Sequence, residues 1–457
     1  MPALVVTAAL ATSVCAQRDA LQRAVDNAEA RGVRTGVAVC SSTGDVLFRH
    51  RAAESFAPAS NMKLLTAAGV LQGLGADHRF ETVFSLEAGE LVVQAGGDPN
   101  WIAETEHDPE QVFALVARAL AEHDVHSVRG VRLEPGVFHG PSRPKTWPQD
   151  QLYTYYCAPT GGFVLQQGTF VMAIERSGGR NARATLLAPP AGYEIRGGIR
   201  EVASQQGATY GAIDQGGTIR VRGKFYEKSP RVEIRTAVND PDRWFADALA
   251  HQLRKNGVRV GAGGPAHQHG EVYRHRTPLQ PALRRMLEDS SNFDAEQCLR
   301  VLGARTRRDG SLLGGNAALR DRLADLVGHV PEGVVIADGS GLSKENRITP
   351  GLLVVAMFQL QRKGLWSQLQ ACLPVAGRTG TLRKRFVGSD LVDKVRAKTG
   401  WIRGASSLSG MVELPDGELR WFSILMNYDR GRNGLNKELK QIQEDIVAAV
   451  AAMQVQR

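Results

Sequence analysis

Cysteine is scarce and scattered. Five occur in 457 residues, Cys15, Cys40, Cys157, Cys298 and Cys372, with no C-x-x-C pair among them. This excludes a thiolate zinc ribbon and a dense disulfide framework. H-E-x-x-H is missing too. His267, His269 and His275 cluster, as do His123 and His126, but without metal-ligand spacing, so they read as solvated or structural. No stretch after the first residues approaches the length of a membrane span, and there are no internal repeats or low-complexity tracts. No basic run is interleaved with aromatics and no finger or helix-turn-helix signature occurs, which argues against nucleic acid as a partner. The net charge of +9 comes mostly from dispersed arginine. It fits a solvated basic surface, or attraction to an anionic polymer such as cell-wall material.

What is present is an ordinary globular composition in a chain long enough for two or three domains. Residues 1–16 are small, apolar and uncharged, and Val14-Cys15-Ala16 closes the run before Gln17 and Arg18. This resembles the core and cleavage region of a secretory signal without its positive leader. The expectation is export to a periplasmic or other extracytoplasmic compartment, with a mature protein that is soluble and at most peripherally associated with a membrane. As a lipid-attachment site Cys15 is preceded by Val14, which is bulkier than such sites usually accept.

The spacing of apolar residues predicts an amphipathic helix over 17–32 and a hairpin of strands 35–40 and 45–49. A helix follows from about Ser60 to Leu74, opened by Pro58 two residues earlier. From about Thr82 to Arg235, short strand-like pieces alternate with Gly and Pro turns. Helical periodicity returns over 240–257, 278–286, 295–302 and 315–326. Strands follow at 395–399, 405–412 and 421–427, and a last amphipathic helix at 437–453. The order implies an α/β catalytic domain, residues 17–81 and 236–457, interrupted by a β-rich insertion at 82–235.

Three short motifs carry chemistry. Ser60-Asn61-Met62-Lys63 puts a hydroxyl and an amine three residues apart on one helix face. Serine needs a base to become a nucleophile, and lysine can be that base when burial and a neighbouring cation such as Lys398 lower its pKa. The helix N-terminus also brings the Ser60 N–H to where an oxyanion would form. A chain this long carries about one S-x-x-K by chance. A second match, Ser142-Arg143-Pro144-Lys145, fails because Pro144 sits in a turn-like context. Ser290-Ser291-Asn292 reads either as ordinary helix caps or as a hydroxyl relay (Ser290) with an amide (Asn292) that fixes Lys63 and the substrate backbone. Lys398-Thr399-Gly400 ends a strand with an ammonium, a hydroxyl and a residue that lets a substrate backbone approach, which suits a terminal carboxylate. Arg34-Thr35-Gly36 and Arg378-Thr379-Gly380 mimic it, but only the motif at 398 has lysine and follows the other two. Asp338 and Ser340, in a Gly-rich loop, read as cleft-bordering or as plain turn residues.

S-x-x-K, S-x-N and K-T-G in this order resemble the signature of penicillin-binding proteins and class A β-lactamases. Within them the chain resembles the D-alanyl-D-alanine carboxypeptidase/endopeptidase family of low-molecular-mass class C penicillin-binding proteins, the peptidase S13 type. The segments that carry this are Ala59–Leu64, Gly96-Gly97-Asp98-Pro99, Ser290–Asn292 with Ala295-Glu296, Asp338–Ser343, Leu373–Gly377, Gly380-Thr381-Leu382 with Arg385-Phe386, and Lys398–Gly400 with Leu408-Ser409-Gly410. The resemblance implies a transpeptidase-like domain, an antiparallel sheet flanked by helices, and a serine enzyme without metal or organic cofactor. Its substrates would be peptidoglycan stem peptides, cleaved at D-Ala-D-Ala and at D-Ala-diaminopimelate cross-links, and β-lactams would be covalent inhibitors. By residue, it implies Ser60 as the acylated nucleophile, Lys63 as its base, and Ser290 and Asn292 as the second element. Lys398, Thr399 and Gly400 would hold the carboxylate, and the N–H groups of Ser60 and Trp401 the oxyanion. Ser291 stands where the family usually has an acidic residue or Asn, and Trp401 where it commonly has Thr or Ser. Both departures bear on substrate preference and turnover more than on class. The rival readings are a β-lactamase or esterase of the same superfamily, and a catalytically weak wall-binding protein.

Overall fold

The structure, a computed structural model, describes residues 18–261, 263, 270–432 and 434–453. The signal-like run 1–16, Cys15, His267 and His269 lie outside the described residues. The chain folds into two compact units. One comprises the chain up to Ala76, Leu283–Ser291 and the chain from Asn316; the other comprises Asp77–Ala282 and Asn292–Gly315.

The first unit is built on a five-stranded antiparallel sheet in the order Val395–Ile402, Ala405–Glu413, Leu419–Asn427, Arg34–Cys40, Val46–His50. The central strands are buried on both faces, as the almost unbroken burial of Leu419–Asn427 shows. Successive side chains alternate between faces. Phe422, Ile424 and Met426 join the helix 18–29 (Leu21, Val25, Ala28) and the closing helix Leu435–Ala452 (Leu439, Ile442, Ile446, Val450) in one core. Trp421 meets Phe358 and Trp366 edge-on from the helices Pro350–Arg362 and Trp366–Gln370. Helix Met62–Leu74 is apolar almost all round, and its first ten residues, Met62 to Leu71, are buried, as expected of a helix enclosed on every side.

The second unit holds a four-stranded sheet (Gly270–Pro278, Arg79–Glu87, Glu90–Gln94, Val131–Glu134) and two three-stranded sheets. One of these is Tyr210–Asp214, Thr218–Tyr226, Glu194–Val202; the other is Val232–Ala237, Thr169–Glu175, Arg183–Ala188. It extends beyond the stretch 82–235 that the sequence marks out, taking in helix Pro241–Lys255. The reason is its core: Trp244, Phe245, Ala248, Leu249 and Leu253 of that helix sit in one cluster with Trp101, Phe113, Phe163 and Phe170. It also contains a helix the β-rich texture concealed, Pro109–Glu122, capped by the Asp108 side chain, which accepts from the Glu110 N–H.

His275 is buried in this unit against the Trp101 ring, with centroids 4.6 Å apart, and beside His107. Burial, then the neighbouring His107, push its pKa down to about 4. The unfolded chain, with an ordinary imidazole near 6.5, therefore binds more protons between those values. The stabilisation is full above pH 6.5 and is lost as pH falls towards 4, by about 3 kcal/mol. We expect the unfolding midpoint to drop over this window, and His275→Gln to flatten the drop in a pH series of thermal melts.

Candidate active site

Ser60 lies in a single 3₁₀ turn, Ala59–Asn61, that leads into helix Met62–Leu74. Ala59 takes a left-handed φ of 48°, which costs a non-glycine residue about 1–2 kcal/mol, so the turn must be held from outside. Ser407 Oγ donates to the Pro58 carbonyl at 2.7 Å, and Asn61 Nδ2 donates to the Lys398 carbonyl at 2.8 Å. Both strands of the Lys398 hairpin thereby grip the turn. Gly341, with φ 82°, lets the loop pass beside it: a Cβ there would fall 1.8 Å from the Ala59 oxygen.

One turn on, Lys63 folds its fully buried side chain back on the serine. Its Nζ lies 3.0 Å from Ser60 Oγ and donates to the Ser340 carbonyl at 2.7 Å. That carbonyl belongs to a loop organised by Asp338, whose carboxylate accepts from Gly341 N–H at 2.7 Å, Ser343 N–H at 2.6 Å and Asn346 Nδ2 at 2.7 Å. Asp338 thus holds the turn, while Ser340 offers its carbonyl to Lys63 and its Oγ to the Leu342 N–H.

A second hydroxyl–lysine pair sits in the same unit. Lys398 Nζ donates to Ser290 Oγ and to the Thr399 carbonyl, each at 2.9 Å. Burial, and then the charge of Lys63, hold the Lys398 pKa well below the usual lysine value, with Asp289 acting the other way. Ser290 itself adopts a left-handed φ of 64°. Strain at Ala59, next to Ser60, and at Ser290 is the pattern of residues held for use rather than for folding.

Strand Val395–Ile402 is the edge of its sheet. Its odd-numbered residues turn their backbone groups outward: the Val395 carbonyl accepts from Ala376 N–H at 2.9 Å, and Ala397 N–H donates to Pro374 O at 3.3 Å. By the two-residue alternation of an antiparallel ladder, Thr399 and Trp401 present theirs to the same edge. Thr399 Oγ1 meets Thr381 Oγ1 at 2.9 Å, and the Trp401 ring is 58% exposed. Of the sequence-derived candidates, Ser60, Lys63, Ser290, Lys398, Thr399, Gly400 and Trp401 all belong to the first unit. Asn292 opens helix Asn292–Arg307 of the second, where its Nδ2 donates to the Tyr156 carbonyl at 2.9 Å. Asn61, Ser407, Thr381 and the Ser340 carbonyl were not singled out for chemistry from sequence. The one available signal was the density of serine (Ser406, Ser407, Ser409) in a strand buried throughout up to Val412.

Gly400 brings the strand close against the Ser60 turn. A Cβ there would lie 2.2 Å from Ser407 Oγ, 2.9 Å from Ser60 N and 3.0 Å from Pro58 O. Gly400→Ala should displace the edge strand from the serine turn and slow acylation about 100-fold or more, since an ångström of misplacement costs that much. Stopped-flow acylation rates beside a thermal melt would separate this from unfolding.

A serine hydroxyl at hydrogen-bond distance from a buried lysine amine is the arrangement of a serine hydrolase of the Ser–Lys kind. The chain belongs to the D-Ala-D-Ala carboxypeptidase 3 (S13) family, whose model matches residues 17–452. It is a serine-type D-Ala-D-Ala carboxypeptidase, a peptidoglycan hydrolase. It is 31% identical over 450 residues to a D-alanyl-D-alanine carboxypeptidase of an Actinomadura species, covering 91% of this chain and 81% of that one. Its fold is similar to penicillin binding protein 4 of Haemophilus influenzae, with a TM-score of 0.76 at 21% identity over 93% of this chain and 97% of that one. The same Haemophilus protein complexed with a β-lactam matches with a TM-score of 0.72 at 20% identity, over 92% and 96% of the two chains. A predatory endopeptidase of Bdellovibrio bacteriovorus shares the fold at a TM-score of 0.52 and 16% identity, over 93% and 96% of the two chains.

Proposed function

We propose that Ser60 is the nucleophile of this carboxypeptidase and Lys63 its base, working on stem peptides that end in D-Ala-D-Ala. The 3.0 Å contact between the buried Lys63 amine and the Ser60 hydroxyl carries the reading. Neutral Lys63 takes the Ser60 proton as Oγ bonds to the carbonyl carbon of the penultimate D-Ala. The Ser60 and Trp401 N–H groups receive the oxyanion, the latter from the open strand edge. The C–N bond breaks, and a proton returned through Ser290 leaves with the amine as free D-alanine. Water then attacks the ester, giving the shortened peptide carboxylate and restoring Ser60. Lys398 and Thr399 hold the terminal carboxylate, with Gly400 admitting the substrate backbone. Asn292, two residues along the chain from Ser290, is assigned to the substrate backbone by the motif alone.

Cleavage of D-Ala-diaminopimelate cross-links is the companion activity, because the same acyl group is attacked and only the leaving amine differs. β-Lactams, whose strained amide and carboxylate mimic the same terminus, acylate Ser60 and inhibit. The signal-like start and the cell-wall substrate together support an extracytoplasmic location. Among the described residues no helix is long and apolar enough to cross a membrane. The test is D-alanine release from a soluble stem pentapeptide: one equivalent with the wild type and none above background with Ser60→Ala. Release by the variant at the wild-type rate would remove Ser60 from the mechanism.

A further inference from the structure

The three-stranded sheet of Glu194–Val202, Thr218–Tyr226 and Tyr210–Asp214 in the second unit has one face in the core and one in solvent. Ile199, Ile219, Val221 and Phe225 supply the inner face. The outer face, read off the two-residue alternation, carries Arg196 and Arg200 from one strand and Arg220, Arg222 and Lys224 from the next, all exposed. The parallel register sets Arg220 opposite Arg196 and Lys224 opposite Arg200, while Arg222 lies between Gly198 on one side and Gly211 on the other. At about 6.8 Å per two residues and about 4.8 Å between strands, five cations share a patch about 14 Å long.

Their own carboxylates are nearly lacking. Arg196 is paired with Glu194 at 2.8 Å. Among the described residues no carboxylate lies within 4.0 Å of Arg200, Arg220, Arg222 or Lys224. Like charges set directly opposite one another on a sheet oppose folding, so this face carries a cost that an external anion relieves. A groove of about 400 Å³ runs beside it, lined by Arg222, Gly211, Ile213, Tyr210 and the exposed ring of Tyr153.

We infer that this basic sheet face is a docking surface for the peptidoglycan polymer itself, recognising the carboxylates of neighbouring stem peptides. The inference rests on the proposed substrate: every uncleaved stem ends in a carboxylate, so the polymer presents negative charge at each repeat, complementary to an unneutralised row of guanidinium groups. Several weak contacts on one polymer raise the local concentration of stems without touching the chemistry.

The test combines Arg200→Gln, Arg220→Gln, Arg222→Gln and Lys224→Gln, all on the solvent face, with Arg222→Glu as a single charge reversal. Co-sedimentation is measured with intact cell walls, with sacculi stripped of phosphate polymers by acid, and with anionic phospholipid vesicles. D-Alanine release from a soluble pentapeptide is followed in parallel. The expected result is that the wild type binds stripped and intact walls alike and vesicles weakly. The fourfold variant should lose about tenfold or more in wall affinity at low salt, with a flatter salt dependence, while all proteins cleave the soluble peptide equally. Unchanged wall binding by both variants would overturn the docking face. Loss of wild-type binding on stripping, or preference for vesicles, would overturn the peptidoglycan assignment in favour of a phosphate polymer or a membrane. A wild type that binds walls but cleaves no soluble peptide would sink the catalytic reading and leave this one standing.

Discussion

Lys63→Met should leave a folded protein that acylates about 10²–10⁴ times more slowly, the usual contribution of a positioned general base. The substitution keeps the length of the side chain and its burial in the first turn of the helix, but removes the only nitrogen lying 3.0 Å from Ser60 Oγ among the contacts described. It also leaves the Ser340 carbonyl without the donor it has at 2.7 Å, a loss that touches stability rather than rate. The two consequences separate cleanly. Acylation is followed as the pseudo-first-order appearance of a β-lactam adduct, and stability by a melt on the same sample. Acylation by Lys63→Met at the wild-type rate would show that another group accepts the serine proton.

Lys398→Met should act in opposite directions on activity and on stability. The ammonium donates to Ser290 Oγ and the Thr399 carbonyl at the open strand edge, where the proposed mechanism seats the substrate carboxylate. Loss of one charge-assisted contact in a desolvated site costs roughly 2–5 kcal/mol, so kcat/KM for a free-carboxylate peptide should fall by about 30- to 5000-fold. A peptide whose terminal carboxylate is amidated should be nearly indifferent to the change, and the ratio of the two substrates is the discriminating readout. For stability the sign is reversed. With its folded pKa held well below the ordinary value by burial and by Lys63, Lys398 binds a proton more readily in the unfolded chain. Its burden on the fold is therefore greatest below the folded pKa and fades as pH rises towards about 10.4. Lys398→Met should raise the melting midpoint, more at pH 6 than at pH 10, because a buried unpaired cation is often worse for folding than an apolar residue of its size. A midpoint that falls equally at both pH values would contradict that account.

How far the sequence carried this reading depends on the kind of signal. Ser60 and Lys63 were legible because helical spacing alone puts i and i+3 side by side, and Lys63 Nζ lies 3.0 Å from Ser60 Oγ in the fold. The strands at 395–402, 405–413 and 419–427 were legible as short β-rich runs between turns, and their antiparallel arrangement was expected from the family resemblance. Helix Pro109–Glu122 went unread although its signals were present: an Asp cap, a Pro in the first turn, and apolar residues at 112, 113, 116, 117 and 120. Its Gly- and Pro-rich surroundings masked that local pattern. Helix Pro350–Arg362, apolar on most sides, lacked the amphipathic stripe that marks a surface helix. The division of the chain at Asp77 rather than Thr82, and the place of helix Pro241–Lys255, depend on which apolar faces meet. No local propensity encodes that. The grip of Ser407 and Asn61 on the Ser60 turn is likewise a long-range fact, spanning 349 and 337 residues of chain.

The central claim is that Ser60 forms an acyl-enzyme, and intact-mass spectrometry with benzylpenicillin tests it most directly. The account predicts a single adduct of the full antibiotic mass on the wild-type protein, none on Ser60→Ala, and slow formation on Lys63→Met. A wild-type protein that gains no mass and consumes no antibiotic, or a Ser60→Ala variant that is modified as readily as the wild type, would contradict it.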